Sequence, residues 1–440
     1  MTSSKYFSAI CLFFLLLLWH VPTGAQDRLL SAVPPTDQDL SDGIEEALAG
    51  NVEKARQLFA MSMQNHPEGR PGGIIAAMMF GDGKLFGKLR FWLEQTAEDY
   101  PNDPEAFFLL GDIALTDERF LEATMLAERG EGLLEKTPTS VERKRQLTIH
   151  LHSLKGGVAE AKKSWNEAAK CFRAILDVEP DNAEFLLRLG IVEYRRGNRD
   201  EAMRHLDQAA KTNTRLLPSL ILLAQLCESE NRTEEAVKFV EESLKIYADN
   251  PRVLLAAADL ELRWNHLDKV RELAEKAQQL DDNSVDAVMK LGILDLYAEQ
   301  YQEAEEKFLR LFRTMPNDVN VLTGLCLALC EQNEPRQQNR AMALARDNAN
   351  RHFDSTDALA TYAWVLFKMN LRQESEKILT RLFDTGDMNP AGAYYLAVLY
   401  AGQGRKNDAI SFLKAALEPQ GNFPKRAAAE KLLDLLLSQE

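Results

Sequence analysis

The 440-residue chain is short of positive charge. Its 52 lysines and arginines are outnumbered by 67 aspartates and glutamates, which gives a formal net charge of −15. Binding to nucleic acid or to an anionic membrane surface draws most of its free energy from clustered basic residues. The composition therefore argues against a nucleic-acid partner, and the one dense basic run, within residues 142–145, is interpreted as a solvated helix face.

The sequence also lacks the short motifs that mark common enzymes and cofactor sites. HExxH, GxSxG, GxxxxGK and CxxC are all absent. His150 and His152 are two residues apart on a predicted helix, about 200° around its axis, so they cannot converge on one ligand. We therefore predict a protein that is not an enzyme and that holds no cofactor and no metal ion.

Cysteine is scarce, with five in the chain. One, Cys11, lies in an apolar stretch at the N-terminus, and the others are Cys171, Cys227, Cys326 and Cys330. Cys326 and Cys330 share a helix face, but two thiols do not make a metal site, which usually needs four ligands. We expect buried free thiols.

A long apolar run extends from Phe7 to Trp19, and no later segment is apolar enough to span a bilayer. The run is shorter than the roughly 20 residues that span a bilayer, and small residues precede a plausible cleavage point after Ala25. This pattern predicts a secretory signal peptide at residues 1–25, followed by a linker at 26–40. An uncleaved signal anchor is the alternative. The expected mature protein is exported, to the periplasm or outside the cell, and has no membrane span.

What the chain does have is a regular period. Small residues recur at every thirty-fourth position in two series, Ala168, Ala202, Ala236, Val270 and Ala304, and Gly156, Gly190, Ala224, Ala258, Gly292 and Cys326. A fixed period of this size predicts a solenoid, in which each unit is too small to bury its own apolar face and stacked neighbours share a core. Each unit would be two antiparallel helices joined by a tight turn, with small residues where the helices cross closely.

The unit from Ala183 to Leu216 resembles the tetratricopeptide repeat (TPR). Leu189-Gly190, Ala202 and Ala209 match that family's small and large positions, and Pro180 and Pro316 match its unit ends. The resemblance implies an all-α fold, a right-handed superhelical α-solenoid of about nine to eleven helix pairs with a C-terminal capping helix. In this register the units start at about residues 36, 70, 104, 149, 183, 217, 251, 285, 319, 356 and 390.

Two irregularities interrupt the period and suggest the domain organisation. The interval from Ala123 to Ala168 is longer than one period, and within it Thr139 to Glu142 resembles a capping box that opens a long helix. We expect a seam there, between divergent TPR-like units at 41–138 and a solenoid at 139–423. A second, smaller excess is assigned to the turn near Pro335. Pro424 then begins a capping helix at 424–440.

The family's first helix in each unit lines a concave groove. Carrying its groove positions over to this chain gives a mostly apolar set, which we predict to bind a protein or peptide partner. The members are Leu187, Ile191, Tyr194, Leu255, Leu262, Met289, Ile293, Leu296, Tyr297, Trp364, Phe367 and Tyr394. The competing interpretation is that a tightly wound superhelix buries these side chains against its own neighbouring helices.

The leading hypothesis is therefore an exported, non-enzymatic scaffold that binds a protein through this groove. The alternative is a structural subunit of a cell-envelope assembly that exports or retains polysaccharide. Partner, pathway and oligomeric state are not readable from the sequence.

Overall fold

The computed structural model describes residues 37–418 and 423–438. The predicted signal peptide, and the predicted linker up to residue 36, lie outside the described residues. Within them the chain forms 23 helices and no strand, which confirms the predicted all-α fold of paired helices. The helices are α1 Gln38–Ala49, α2 Val52–Asn65, α3 Gly72–Asp82, α4 Phe86–Asp99, α5 Glu105–Thr116, α6 Phe120–Leu134, α7 Val141–Ala161, α8 Trp165–Val178, α9 Ala183–Arg195, α10 Arg199–Thr212, α11 Ser219–Ser229, α12 Thr233–Ile246, α13 Pro251–Arg263, α14 Leu267–Leu280, α15 Val285–Tyr297, α16 Tyr301–Thr314, α17 Val319–Glu331, α18 Pro335–Arg351, α19 Thr356–Lys368, α20 Arg372–Asp384, α21 Pro390–Gly402, α22 Lys406–Ala416 and α23 Arg426–Leu437.

The chain divides into two compact units, one up to Leu222 and one from Leu223, with the boundary inside α11. We call the odd-numbered helices α1 to α21 first helices and the even-numbered helices α2 to α22 second helices. In the first unit up to α10, and in the second unit from α13 onward, each first helix packs on the second helix of its pair, and that second helix packs on the next first helix. The predicted seam before residue 139 remains a prediction, and α6 packs directly on α7 across it.

The periodic series of small side chains lies where the helices of a pair cross. Gly190 of α9 and Ala202 of α10 are both buried. A Cβ added at Gly190 would lie 2.6 Å from Leu206 Cγ and 3.1 Å from the carbonyl oxygen of Ala202. Since both distances are shorter than ordinary van der Waals contact, the helices approach this closely only because the side chain is absent.

The turn inside each pair has a left-handed residue at one fixed place. All eleven have positive φ, between 57° and 89°. They are Gly50, Lys84, Glu118, Lys163, Gly197, Asn231, Asn265, Glu299, Asn333, Asn370 and Gly404. Each lies at the same offset from one of the predicted unit starts, so the register read from the sequence matches the turns of all eleven pairs. Glycine and asparagine fill most of these places because they tolerate the left-handed region best.

The two irregularities are accommodated mostly inside helices. The first lengthens α7 to 21 residues. Its cap is Ser140, whose Oγ accepts a hydrogen bond from the Arg143 backbone N–H at 3.2 Å, and not Thr139 as the capping-box pattern suggested. The second lengthens α18 to 17 residues, compared with 14 in α16. The prediction of an enlarged turn near Pro335 was wrong, because proline is well suited to the first helical turn and begins the helix there.

Candidate functional site

The twelve predicted groove residues divide by burial. Four are buried, and they are Leu187, Leu296, Trp364 and Tyr394. Eight keep part of their side chains at the surface, and they are Ile191, Tyr194, Leu255, Leu262, Met289, Ile293, Tyr297 and Phe367. Leu187, Ile191 and Tyr194 belong to the first unit and the other nine to the second. Six of those nine, Met289, Ile293, Leu296, Trp364, Phe367 and Tyr394, contribute to one apolar cluster.

Trp364 on α19 is the centre of an aromatic stack in the second unit. Its ring stacks on Phe367 with 5.1 Å between centroids and on Tyr395 with 4.4 Å. Tyr394 lies 6.0 Å away from it. Trp364 itself is 5% exposed. Aromatic pairs at these distances stabilise a fold beyond their buried area, so Trp364 serves the packing of α19 on α21.

The stack is joined to a carboxylate at the end of α17. The Trp364 indole Nε1–H donates to Glu331 Oε1 at 2.7 Å. Glu331 Oε2 lies 3.3 Å from Lys368 Nζ and 3.3 Å from Lys425 Nζ. Glu331 is 8% exposed, and a buried carboxylate needs partners of this kind to offset the loss of water.

Phe423 and Lys425, which precede the capping helix, contact this same surface. Lys425 Nζ donates to the Tyr301 hydroxyl at 2.6 Å, across 124 residues of sequence, and lies 5.0 Å from the centre of the Tyr301 ring. Phe423 is buried, with its ring 5.8 Å from that of Tyr394. We call the surface formed by Tyr301, Glu331 and Tyr394 the tail site.

The ionisable groups of the tail site are shifted by burial and by one another. Burial lowers the pKa of Lys425, but Glu331 and Tyr301 outweigh it, so the pKa lies above its ordinary value. Burial raises the pKa of Tyr301, and Lys425 opposes only part of this rise. Lys425 therefore carries its charge throughout the neutral range, and Tyr301 keeps its proton and remains a neutral hydroxyl.

Sequence reasoning missed the tail site. Glu331 is the thirteenth residue of its repeat, a position that the TPR resemblance places on the groove. The predicted groove set was chosen for its apolar residues and therefore left Glu331 out. Phe423 is the last residue of the predicted solenoid and Lys425 follows it, and no periodic signal marks either residue. Their partners lie far away in sequence, and the contacts appear only in the folded chain.

A buried ionic cluster in the first unit was also missed. Arg143 belongs to the basic run that was interpreted as a solvated helix face, and that interpretation was wrong for this residue. Its guanidinium is buried and lies 2.7 Å from Asp103 Oδ2 and 3.0 Å from Glu105 Oε2. Arg70 reaches Glu105 from the other side, at 2.9 Å. The cluster joins α7 to the loop before α5 and to α5 itself.

The thiols that were predicted to be buried and free differ in burial. Cys326 and Cys330 are buried and free, and burial raises both thiol pKa values well above the ordinary range, which makes these cysteines unreactive. Cys171 is free but only partly buried.

Within residues 37–418 and 423–438, no group of three His, Cys, Asp or Glu side chains could hold a metal ion. The same residues include no helix with the length and apolar character to cross a membrane.

Comparison with known proteins identifies the repeats. One tetratricopeptide-repeat family model matches residues 158–219 and 361–427, and a second matches 217–250. The human antiviral innate immune response effector IFIT1 is 28% identical over 139 residues, 30% of this chain and 29% of that protein. The Arabidopsis thaliana protein CTR9 homolog is 24% identical over 183 residues, 41% of this chain and 13% of that protein. The match thus spans less than a third of either relative.

Two solved structures match the chain at low sequence identity. Yeast Tom70 is 13% identical with a TM-score of 0.35, covering 94% of this chain and 96% of that one. TTC0263 of Thermus thermophilus is 18% identical with a TM-score of 0.37, covering 42% and 98%.

The family models confirm the tetratricopeptide repeats that the sequence pattern predicted. Proteins of this fold typically mediate protein–protein interaction, and no catalytic family is indicated.

Proposed function

We propose that this chain is an exported, non-enzymatic scaffold that binds a protein partner through the first helices of its repeats. The observation that carries the proposal is that apolar side chains at one repeat position are partly exposed in successive repeats of the second unit. Leu255 on α13 and Met289 on α15 are one period apart, occupy the same place in successive repeats, and both keep part of their side chains at the surface.

Ile293 and Tyr297 extend this exposure along α15, about one helical turn apart. Apolar side chains at such a spacing on neighbouring helices are what a partner helix or an extended peptide uses as anchors. The formal net charge of −15 keeps the rest of the surface soluble and favours a partner that carries basic residues beside its apolar anchors.

The binding test compares Ile293→Asp with Ile246→Asp. Both residues are isoleucines in helices of the second unit, but Ile246 lies at the end of second helix α12 and is 61% exposed. Proteins captured from the native host by cross-linking and identified by mass spectrometry should be lost from I293D and kept by I246D. Melting temperatures of both variants serve as the folding control. Equal capture by two folded variants would exclude binding through the first helices.

Export is tested separately. N-terminal sequencing of the protein from its native host should begin at Gln26, the residue after the predicted cleavage point. A chain that begins at Met1 would refute cleavage. Recovery from the cytoplasmic fraction would refute export, without bearing on which face binds the partner.

A further inference from the structure

We propose that the tail site, formed by Tyr301, Glu331 and Tyr394, recognises a protein segment with an aromatic residue followed two places later by a lysine. In this structure the chain's own Phe423-Pro424-Lys425 occupies the site. A partner segment of the same chemistry binds by displacing it. The inference rests on the proposed function and specifies the chemistry of the partner.

The lysine subsite has both the charge and the shape for an ammonium group. Lys425 Nζ meets the Glu331 carboxylate at 3.3 Å, the Tyr301 hydroxyl at 2.6 Å and Glu299 at 3.9 Å. The ammonium lies 5.0 Å from the centre of the Tyr301 ring and close to the ring plane, so the hydroxyl and not the ring face binds it. Only 14% of the Lys425 side chain is exposed, so this cation is largely withdrawn from water.

The aromatic subsite lies against α21. Phe423 is buried beside Tyr394, which in turn contacts Trp364 and Tyr395. Pro424 separates the two side chains in a turn, in which the Phe423 carbonyl accepts a hydrogen bond from the Arg426 backbone N–H at 3.1 Å, directly before α23 begins at Arg426. The segment thus presents an aromatic ring and a cation to two adjoining subsites.

Capping of the last repeat does not require these contacts. A terminal helix needs only to cover the exposed face of the last pair, and α23 already packs on α22. Ala429 and Leu436 are its buried residues. Lys425 instead reaches Glu331 of α17, two repeats earlier in the chain, and Glu299 and Tyr301 in the α15–α16 turn and at the start of α16, three repeats earlier. These contacts are those of a bound segment.

The chain's own segment competes with a free peptide. Because it belongs to the same molecule as the site, we take its effective concentration to be on the order of millimolar. A free peptide with a dissociation constant of about 100 μM for the vacant site would therefore bind the intact chain about tenfold more weakly.

The test uses the full chain and a fluorescein-labelled peptide of residues 423–430, Phe-Pro-Lys-Arg-Ala-Ala-Ala-Glu. A variant with Phe423→Ala and Lys425→Glu vacates the site. Fluorescence polarisation should show peptide binding at least about tenfold tighter to this variant than to the wild-type chain. Lys431→Glu, at an exposed lysine on the capping helix α23 that follows the segment, is the matched control and should behave as the wild type.

Two further arms test the chemistry. A peptide with glutamate in place of its lysine should lose at least tenfold in affinity for the vacated variant. Adding Tyr301→Phe to that variant removes the hydroxyl but keeps the ring, and should weaken binding severalfold. Circular dichroism confirms that each variant is folded.

Each of three results would overturn the inference. The peptide could bind the wild-type and the vacated chain with equal affinity, it could fail to bind a folded vacated chain, or its affinity could be unchanged when glutamate replaces its lysine. Should the double variant not fold, hydrogen exchange of the wild-type chain replaces it. Millimolar peptide should then speed exchange in residues 426–437, and unchanged exchange would also overturn it. Because the assay uses purified chain and a defined peptide, a negative result rejects the tail site and leaves the exported scaffold to the cross-linking test.

Discussion

Trp364 donates its indole N–H to Glu331 at 2.7 Å and so ties first helix α19 to first helix α17. Trp264, just after α13, makes the same kind of bond to Glu228 of α11 at 2.8 Å. The two links differ in what else the carboxylate holds, because Glu331 also pairs with Lys368 and Lys425. The comparison separates the contribution of the indole bond from that of the ion pairs.

We expect Glu331→Gln to destabilise the chain by about 2 kcal/mol, because it keeps an acceptor for Trp364 but removes the nearest counter-charge of two partly desolvated lysines. Glu228→Gln, which also keeps its indole bond, should cost less than about 1 kcal/mol. Urea denaturation followed by tryptophan fluorescence measures both. Equal losses would show that the ion pairs at Glu331 contribute no stability.

Gly190→Ala should destabilise the first unit by about 2 kcal/mol, because the new methyl group would overlap Leu206 and press on the Ala202 carbonyl. Gly132→Ala is the control on α6, where an added Cβ meets nothing within 4 Å. Alanine is the better helix former, so this variant should gain up to about 1 kcal/mol. Thermal melts of the two variants should move in opposite directions, and a gain in both would contradict the tight crossing.

Lys163→Gly should raise stability by about 0.5 to 1 kcal/mol. Lys163 has φ of 57° in the turn between α7 and α8, and a side chain in the left-handed region is strained there. Asn265→Gly, at the equivalent turn between α13 and α14, should change stability less because asparagine already tolerates φ of 61°. The midpoint of chemical denaturation measures both substitutions. A loss on replacing Lys163 would show that its side chain makes stabilising contacts.

Stability should fall in acid partly through Glu193. Burial raises the pKa of this carboxyl, but the hydrogen bond from Asn198 and the charges of Arg173 and Arg196 outweigh burial and hold the pKa below 4.5. The folded state therefore binds fewer protons than the unfolded state as pH falls from about 5, so stability is present above the unfolded pKa and is lost as pH falls through the folded pKa.

The Glu193→Gln variant cannot lose a charge at this position. It should be less stable than the wild type at pH 7 by about 2 kcal/mol, and the difference should shrink as pH is lowered from 5 to 3. Urea midpoints at pH 7, 5, 4 and 3 measure the difference. A gap that does not change with pH would show that Glu193 does not contribute to acid unfolding.

The sequence by itself determined the fold class, the repeat length and the position of each turn. Gly190 and Ala202 could be read as a helix crossing because only small side chains allow helices to approach so closely, and the requirement recurs in every unit. The left-handed turn residues Asn231, Asn265 and Asn333 likewise meet a requirement of the backbone inside one repeat. Such constraints act within one unit and therefore leave a periodic trace.

The tertiary structure alone decided which groove residues are buried and what occupies the tail site. Nothing local distinguishes Trp364, which is buried in an aromatic stack, from Met289, which keeps part of its side chain at the surface. Arg143 becomes buried only because Asp103 and Glu105 come to meet it. Lys425 meets Tyr301 across 124 residues, and a single non-repeating contact at that separation leaves no pattern in the sequence, because it depends on how the intervening repeats stack.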